Sequence, residues 1–455
     1  MKIEINNTIK ITGLPLKYKN IIKKTLRLNN PKFHMMKRMG KSIWGMKPEI
    51  KYYSDKDGVF EIPRGMKTRL ITYLNKNSVQ YELEEDYVET QAEQKKMSNN
   101  ILLRPYQAPL VKNLCKSTEG MLDATVGSGK TIIMLEVIHR LGLTATILVP
   151  NKTLLANWEL ECKKFLDYQP GLIHGGYKEV KDITISTFQS LYTTNLSTQK
   201  KKVVNQLVNN TSILICDEAH GTITKENKKV ISRFNPKHIY GCSGTCDRED
   251  GQGKAINFFF GNTVARHEAQ QLKPLVEIMK SKTKIPVLAQ YNEMIDEMID
   301  NKSRNTLING LIVGEILQGK KILVLTKRIQ HYRNLEKQMC TVDGVYYIDS
   351  KDPERNDKLM MMKQGLMDFN VIFGTTNLLA QGTDIPTLDT LIIACDLKSK
   401  ILTTQSAGRI LRIFKGKNDP KIIDIVDNYN PILNRQALSR QSLYRQKKWE
   451  IKYIN

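Results

Sequence analysis

Two short stretches of the chain combine residue types and spacings suited to phosphate chemistry. In Ala124-Thr125-Val126-Gly127-Ser128-Gly129-Lys130-Thr131, the glycines let the backbone turn its N–H groups inward. The helix expected to start there points its N-terminus at the same place. Thr125, Gly127, Ser128, Gly129, Lys130 and Thr131 are thus expected to hold a nucleotide, with Lys130 reaching the β/γ oxygens and the Thr131 hydroxyl taking Mg²⁺. Alanine stands where the usual pattern begins with glycine. The second stretch, Asp217-Glu218-Ala219-His220, follows the apolar run 213–216. A carboxylate at the C-terminal end of a parallel strand projects into the crevice where ligands bind. Asp217 therefore suits the Mg²⁺ shell, and Glu218 suits activation of an attacking water. Two acids after a strand also suit a helix N-terminus; the phosphate loop upstream favours the chemical reading.

A third stretch, Gln405-Ser406-Ala407-Gly408-Arg409-Ile410-Leu411-Arg412, brings arginines at i and i+3 to one face of an expected helix. A planar guanidinium suits a γ-phosphate, although a solvated basic helix face has the same pattern.

Elements to position these groups are legible as short apolar runs alternating with helical patterns. The runs 144–149, 183–186, 212–216 and 239–242 read as buried strands, and 321–325, 345–348, 370–374, 390–394 and 421–426 form a second series. Helical stretches such as 131–140 and 154–165 separate them. This alternation indicates parallel sheets with helices on both faces. Two series imply two α/β lobes, with the junction near Leu272–Lys282.

The length of 455 residues also calls for more than one core. Seventy Lys and Arg against 46 Asp and Glu leave a net charge of +24, the footprint of a phosphate-rich partner. Residues 1–80 alone hold 18 basic and 5 acidic residues, with enough apolar side chains to fold as a small α+β domain. The polar run Gln91–Asn100 reads as a linker. The seven cysteines are scattered singly and do not form a disulfide framework. No apolar run approaches about 18 residues, so no membrane partner is expected, and a cytoplasmic location is. The C-terminal stretch, with Arg440, Arg445, Lys447 and Lys448 among Tyr444 and Trp449, suits either nucleic-acid contact or a helix packed by its aromatics.

With DEAH at 217–220, the chain resembles the superfamily 2 helicases, whose other motifs follow in order. Arg104-Pro105-Tyr106-Gln107 resembles the adenine-reading element, which implies Arg104 and Gln107 as further nucleotide contacts. Val149-Pro150 with 153–158, and Ser186-Thr187-Phe188-Gln189, resemble nucleic-acid contacts, implying Pro150 and Thr187. Ser243-Gly244-Thr245 resembles the coupling motif. Val324-Leu325-Thr326-Lys327 and the stretch 374–386 resemble the second lobe's loops, implying Thr326, Lys327 and either Thr375 or Thr376 on nucleic acid, with Gly382 and Asp384 at the nucleotide. The run 405–412 resembles the last motif, with Arg409 and Arg412 as finger candidates and Ser406 where many relatives carry Arg. Arg248-Glu249-Asp250 and the run 256–261 resemble the XPB-like group. Asn30-Pro31 and Ile62-Pro63-Arg64-Gly65 resemble the pre-helicase domain of that group and of the phage UvsW-like helicases, which implies Arg64 on nucleic acid.

The resemblance implies two tandem RecA-like lobes after a basic N-terminal domain, divided at 1–98, 99–273 and 274–455. It implies ATP and Mg²⁺ as cofactors and a monomeric ATP-dependent DNA helicase, of tailed-phage type, that unwinds or branch-migrates forked and four-way DNA. Recombination or replication proteins are the implied partners. A duplex translocase without strand separation and an RNA helicase are the alternatives.

Overall fold

The computed structural model describes all residues except 94–96, 126, 193–197, 223, 245–252, 269–270, 338, 340–341, 349–351, 353, 376–384, 415 and 455. Two compact units emerge, Met1–Ala269 and Gln270–Asn455.

The first unit is built on an eight-stranded sheet in the order Tyr177–Lys178, Gly171–His174, Ile183–Thr187, Ala145–Val149, Ile213–Cys216, His238–Ser243, Glu119–Ala124, Thr263–His267. Every pairing is parallel except the hairpin between the first two strands. The central strands are buried along their whole length, which is why they read as continuous apolar runs. Helix Lys130–Leu141 follows strand Glu119–Ala124, and helix Lys152–Leu166 follows strand Ala145–Val149. Loops at the C-terminal edge of these strands carry the phosphate loop and the DEAH residues.

A five-stranded sheet in the order Ser54–Lys56, Val59–Pro63, Thr8–Thr12, Lys2–Ile5, Glu82–Glu85 precedes it. Ile9, Ile11, Phe60 and Ile62 alternate inward. These side chains do not close a core of their own. Ile3, Phe60 and Leu70 belong to one continuous cluster with Met121, Phe188, Phe258 and Phe260 of the larger sheet and its helices. Gly65 marks the closest approach, since a Cβ there would lie 2.6 Å from the Phe259 carbonyl carbon. The two runs that suggested the XPB-like group, 62–65 and 256–261, therefore meet in space.

The expected linker is likewise anchored. Ala92 N donates to Gly142 O at 2.9 Å, Ser98 N to Leu166 O at 2.9 Å and Asn100 N to Phe165 O at 2.9 Å. Backbone groups that look unclaimed in a polar run are satisfied by the C-terminal ends of helices Lys130–Leu141 and Lys152–Leu166.

The second unit has a seven-stranded sheet in the order Val345–Ile348, Val371–Thr375, Ile322–Thr326, Thr390–Ile393, Lys421–Val426, Leu275–Lys280, Glu450–Ile454, all parallel. Two strands here correct the sequence reading. The supposed junction 272–282 contains an interior strand, and the supposed basic tail ends in its edge partner. The first alternates in burial and the second is largely exposed, both weaker signals than a continuous apolar run. Two buried bidentate pairs pin helices to this sheet. Arg304 holds Asp427 at 2.9 and 3.1 Å, and Arg440 holds Asp424 at 2.6 and 2.9 Å while Tyr444 donates to the same carboxylate at 2.9 Å. Of the two readings of the C-terminal stretch, Arg440 and Tyr444 follow the packed one, with Tyr444 stacked on Trp449.

Candidate functional site

The phosphate loop runs from strand Glu119–Ala124 into helix Lys130–Leu141. Gly127 and Gly129 have φ of 85° and 76°, which side-chain-bearing residues rarely adopt. Ser128 closes the turn, donating its hydroxyl to Thr125 O at 2.7 Å. No side chain caps the helix N-terminus, so its first N–H groups are left for a ligand, and an anion fits there. Lys130 Nζ rests on Ala124 O at 3.2 Å, at the mouth of the loop, and Thr131 is half-buried in the first turn.

Arg104, Tyr106 and Gln107 buttress this loop from upstream. Gln107 takes the Arg104 N–H on its Oε1 at 2.9 Å and donates to Ser128 O at 3.1 Å, and Tyr106 donates to the same carbonyl at 3.0 Å. The Tyr106 ring is stacked on His267, 3.8 Å between centroids and 6° from parallel. The motif at 104–107 points to Tyr106. His267 has no local signal, because strand Thr263–His267 reaches the loop by pairing with Glu119–Ala124.

Asp217 is buried at the end of strand Ile213–Cys216. Its Oδ2 accepts from Trp158 Nε1 at 2.9 Å and its Oδ1 from the Glu218 N–H at 2.9 Å. Burial pushes its carboxyl up, Glu218 adds to the rise, and Lys130 opposes it. A buried acid beside a lysine and a hydroxyl at a helix start is a donor set that fits Mg²⁺ with phosphate. Glu218 takes a left-handed φ of 50°. Its Oε2 lies 3.2 Å from His220 Nδ1, and that nitrogen lies 3.4 Å from Ser243 Oγ. The DEAH run and the coupling motif are thus in contact at His220 and Ser243; Thr245 and 248–250 lie outside the described residues.

A groove of about 450 Å³ is lined by Pro150, Lys152, His174, Tyr177, Thr187 and Gln189, among others. Gln189 bridges it, donating to Pro150 O at 3.2 Å. Pro150 and Thr187 therefore share one surface. Arg64 does not join them. It is 3% exposed, its guanidinium donates to the carbonyls of Pro236 and Lys237, and it stacks on Tyr87 at 4.3 Å. Its expected nucleic-acid contact is replaced by a structural one, because both of its bonding faces are enclosed.

In the second unit Thr326 is fully buried within its strand and donates to Gly374 O at 3.4 Å, so its expected contact with nucleic acid is also corrected. The Lys327 ammonium pairs with buried Asp396 at 2.5 Å and lies over Tyr291, while the side chain stays 44% exposed. Thr375 is half-buried at the end of its strand; Thr376, Gly382 and Asp384 lie outside the described residues. Arg409 is buried on helix Lys400–Ile410. Arg412 follows the helix rather than continuing its face, and burial lowers its guanidinium to about 10.

A family model described as the res subunit of type III restriction enzymes matches residues 100–248. The DNA 3'-5' translocase XPB2 of Sulfurisphaera tokodaii is 26% identical, the match covering 72% of this chain and 82% of the relative. Helicase D10 of Escherichia phage T5 is described as probable and is 24% identical, over 72% of each chain. A solved fragment assigned to the HsdR subunit of a type I restriction enzyme from Vibrio vulnificus covers 97% of this chain and 83% of its own, at 14% identity and a TM-score of 0.57, a likeness of fold. In sequence the chain is thus similar to XPB-like and phage helicases, and in fold to the motor subunit of a restriction enzyme.

Proposed function

We propose that the protein is an ATP-dependent DNA helicase, using Mg²⁺, that translocates on DNA and unwinds or branch-migrates forked and four-way intermediates. One observation carries this reading: helix Lys152–Leu166 starts at the groove with Lys152 and holds Asp217 through Trp158. A strand seated in the groove and a nucleotide at Asp217 would bear on the same rigid element, which is what coupling of hydrolysis to DNA requires. In this reading Lys130 and Thr131 bind and orient the triphosphate, Glu218 takes the proton of the attacking water, and Arg409 or Arg412 stabilises charge on the transferred phosphoryl group. The magnesium ion would supply neutralisation of phosphate charge. The basic N-terminal segment supports a branched substrate, since its phosphate-binding capacity exceeds what tracking one strand needs. Action in the cytoplasm of a phage-infected host fits; among the described residues no helix is long and apolar enough to cross a membrane.

A duplex translocase without strand separation is the second reading, favoured by the name of the Sulfurisphaera relative. ATPase stimulation is measured on single-stranded, duplex, forked and four-way DNA and on RNA at one salt concentration, beside strand and triplex displacement. Greatest stimulation and strand displacement on branched DNA are expected. Triplex displacement alone replaces this reading with the second, and stimulation by RNA alone overturns both.

A further inference from the structure

Residues 27–51 leave the N-terminal sheet and return to it as a separate projection. Arg27–Asn29 and Glu49–Lys51 pair antiparallel as a short stalk, with helix Pro31–Arg38 and the loop 39–48 as its head. Asn30 closes the base of the head. Its side-chain oxygen caps the helix, accepting from Lys32 N at 3.2 Å and Phe33 N at 3.4 Å, and its amide donates to Lys47 O at 2.8 Å. Two backbone bonds shape the loop, Lys41 N to Met36 O and Met46 N to Ile43 O, each 3.0 Å. Trp44 sits on that loop 93% exposed, and Met35 and Met39 are 53% and 56% exposed.

An indole left almost wholly in water on a constrained loop is an interaction feature. Its surroundings name the partner class. Lys32, Lys37, Arg38, Lys41 and Lys47 are all exposed on the same head, and Glu49 is the sole acid from 30 to 51. Cations around an aromatic platform match a backbone of phosphates carrying an accessible base face. In continuous duplex the base faces are covered by stacking, whereas a branch point exposes them.

We propose that Trp44 stacks on an exposed base at the branch point of forked or four-way DNA while the surrounding cations hold the flanking phosphates. The inference rests on the DNA-motor reading above and assigns its substrate selection to this head. Asn30 and the stalk give the indole a fixed place, so stacking is not opposed by the ordering of a flexible tail.

The test uses the full-length chain with Trp44→Ala and Trp44→Phe, both at an exposed position. Affinity is measured by fluorescence anisotropy on forked, four-way, continuous duplex and single-stranded DNA at one salt concentration, together with ATPase on single-stranded DNA. Trp44→Ala is expected to bind forked and four-way DNA about tenfold more weakly and single strands, whose base faces are also open, more weakly by a smaller factor, with continuous duplex changed less than about twofold and ATPase at saturating single-stranded DNA retained. Trp44→Phe is expected to recover most of the loss. Lys37→Gln with Lys41→Gln should make the salt dependence shallower by roughly 0.9 per lysine that meets a phosphate. Unchanged affinity for branched DNA in Trp44→Ala, or an equal loss on every substrate, overturns the proposal, including where Trp44 proves to seat a protein. If wild-type ATPase responds to no DNA, the motor reading itself fails, a result distinct from a DNA-stimulated ATPase with Trp44 indifferent.

Discussion

Trp158 and Asp217, 59 positions apart in sequence, are joined by a 2.9 Å hydrogen bond from the indole nitrogen to the carboxylate, with both side chains buried. The stretch 153–158 reads as nucleic-acid contact from its motif, yet its last residue orients the acid expected to hold magnesium. Trp158→Phe keeps most of the ring and removes the donor. A hydrogen bond to a charged acceptor contributes about 1.5–3 kcal/mol, so half-maximal ATPase is expected at roughly tenfold higher Mg²⁺. An unchanged Mg²⁺ titration would show that Asp217 is held without the indole.

Lys130→Ala should abolish turnover by removing the cation at the mouth of the phosphate loop. Glu218→Gln should bind nucleotide at wild-type affinity yet fail to turn over, because an amide cannot take a proton from water. Nucleotide binding by fluorescent analogue and steady-state ATPase separate the two. Turnover close to wild type in either variant refutes that residue's role.

Arg409 and Arg412 are not equivalent, since one lies on the helix and the other beyond its end. Loss of a charge-stabilising donor costs about 2.7–4 kcal/mol, a hundred- to thousandfold in rate. Arg412→Ala is expected to show that loss in DNA-stimulated ATPase while binding ATP and DNA separately. If the loss appears in Arg409→Ala instead, the finger is Arg409.

Arg64→Ala leaves the buried carbonyls of Pro236 and Lys237 without their donors. Unsatisfied buried groups cost about 1–3 kcal/mol each, so a lower melting temperature is expected. The salt dependence of DNA binding should not move. A shallower salt slope with unchanged melting would restore Arg64 to the DNA interface.

Lys417 donates to Ile410 O at 2.7 Å and Arg412 O at 3.2 Å, and burial lowers its amine to about 8. Between about pH 8 and the ordinary lysine value near 10.5, the unfolded chain keeps a proton that the folded chain has released. The contribution of this residue to stability therefore rises with pH across that window and is flat below it. Melting curves of wild type and Lys417→Met should diverge in that direction between pH 7.5 and 9.5 (about two units spanning the lowered value). Parallel curves would mean the amine titrates normally.

The phosphate loop and the DEAH run were legible in the sequence because their chemistry is local. Glycine at positive φ, a lysine at a helix start and acids at a strand end occupy adjacent positions, and the buried parallel strands beside them are continuous apolar runs. Strands Leu275–Lys280 and Glu450–Ile454 were not legible, since alternating burial in the first and an exposed edge position in the second leave a weaker signal. The partners of Asp217 and Tyr106 were set by tertiary packing, which brings Trp158 from helix Lys152–Leu166 and His267 from strand Thr263–His267 beside them. Charge shows the same division. Counting lysines and arginines reveals an excess, but only packing decides which are consumed by Asp427, Asp424 or a backbone carbonyl and which, like those around Trp44, remain in water. A side chain's type is a property of one position, whereas its burial and its partner are properties of surfaces brought together by the fold.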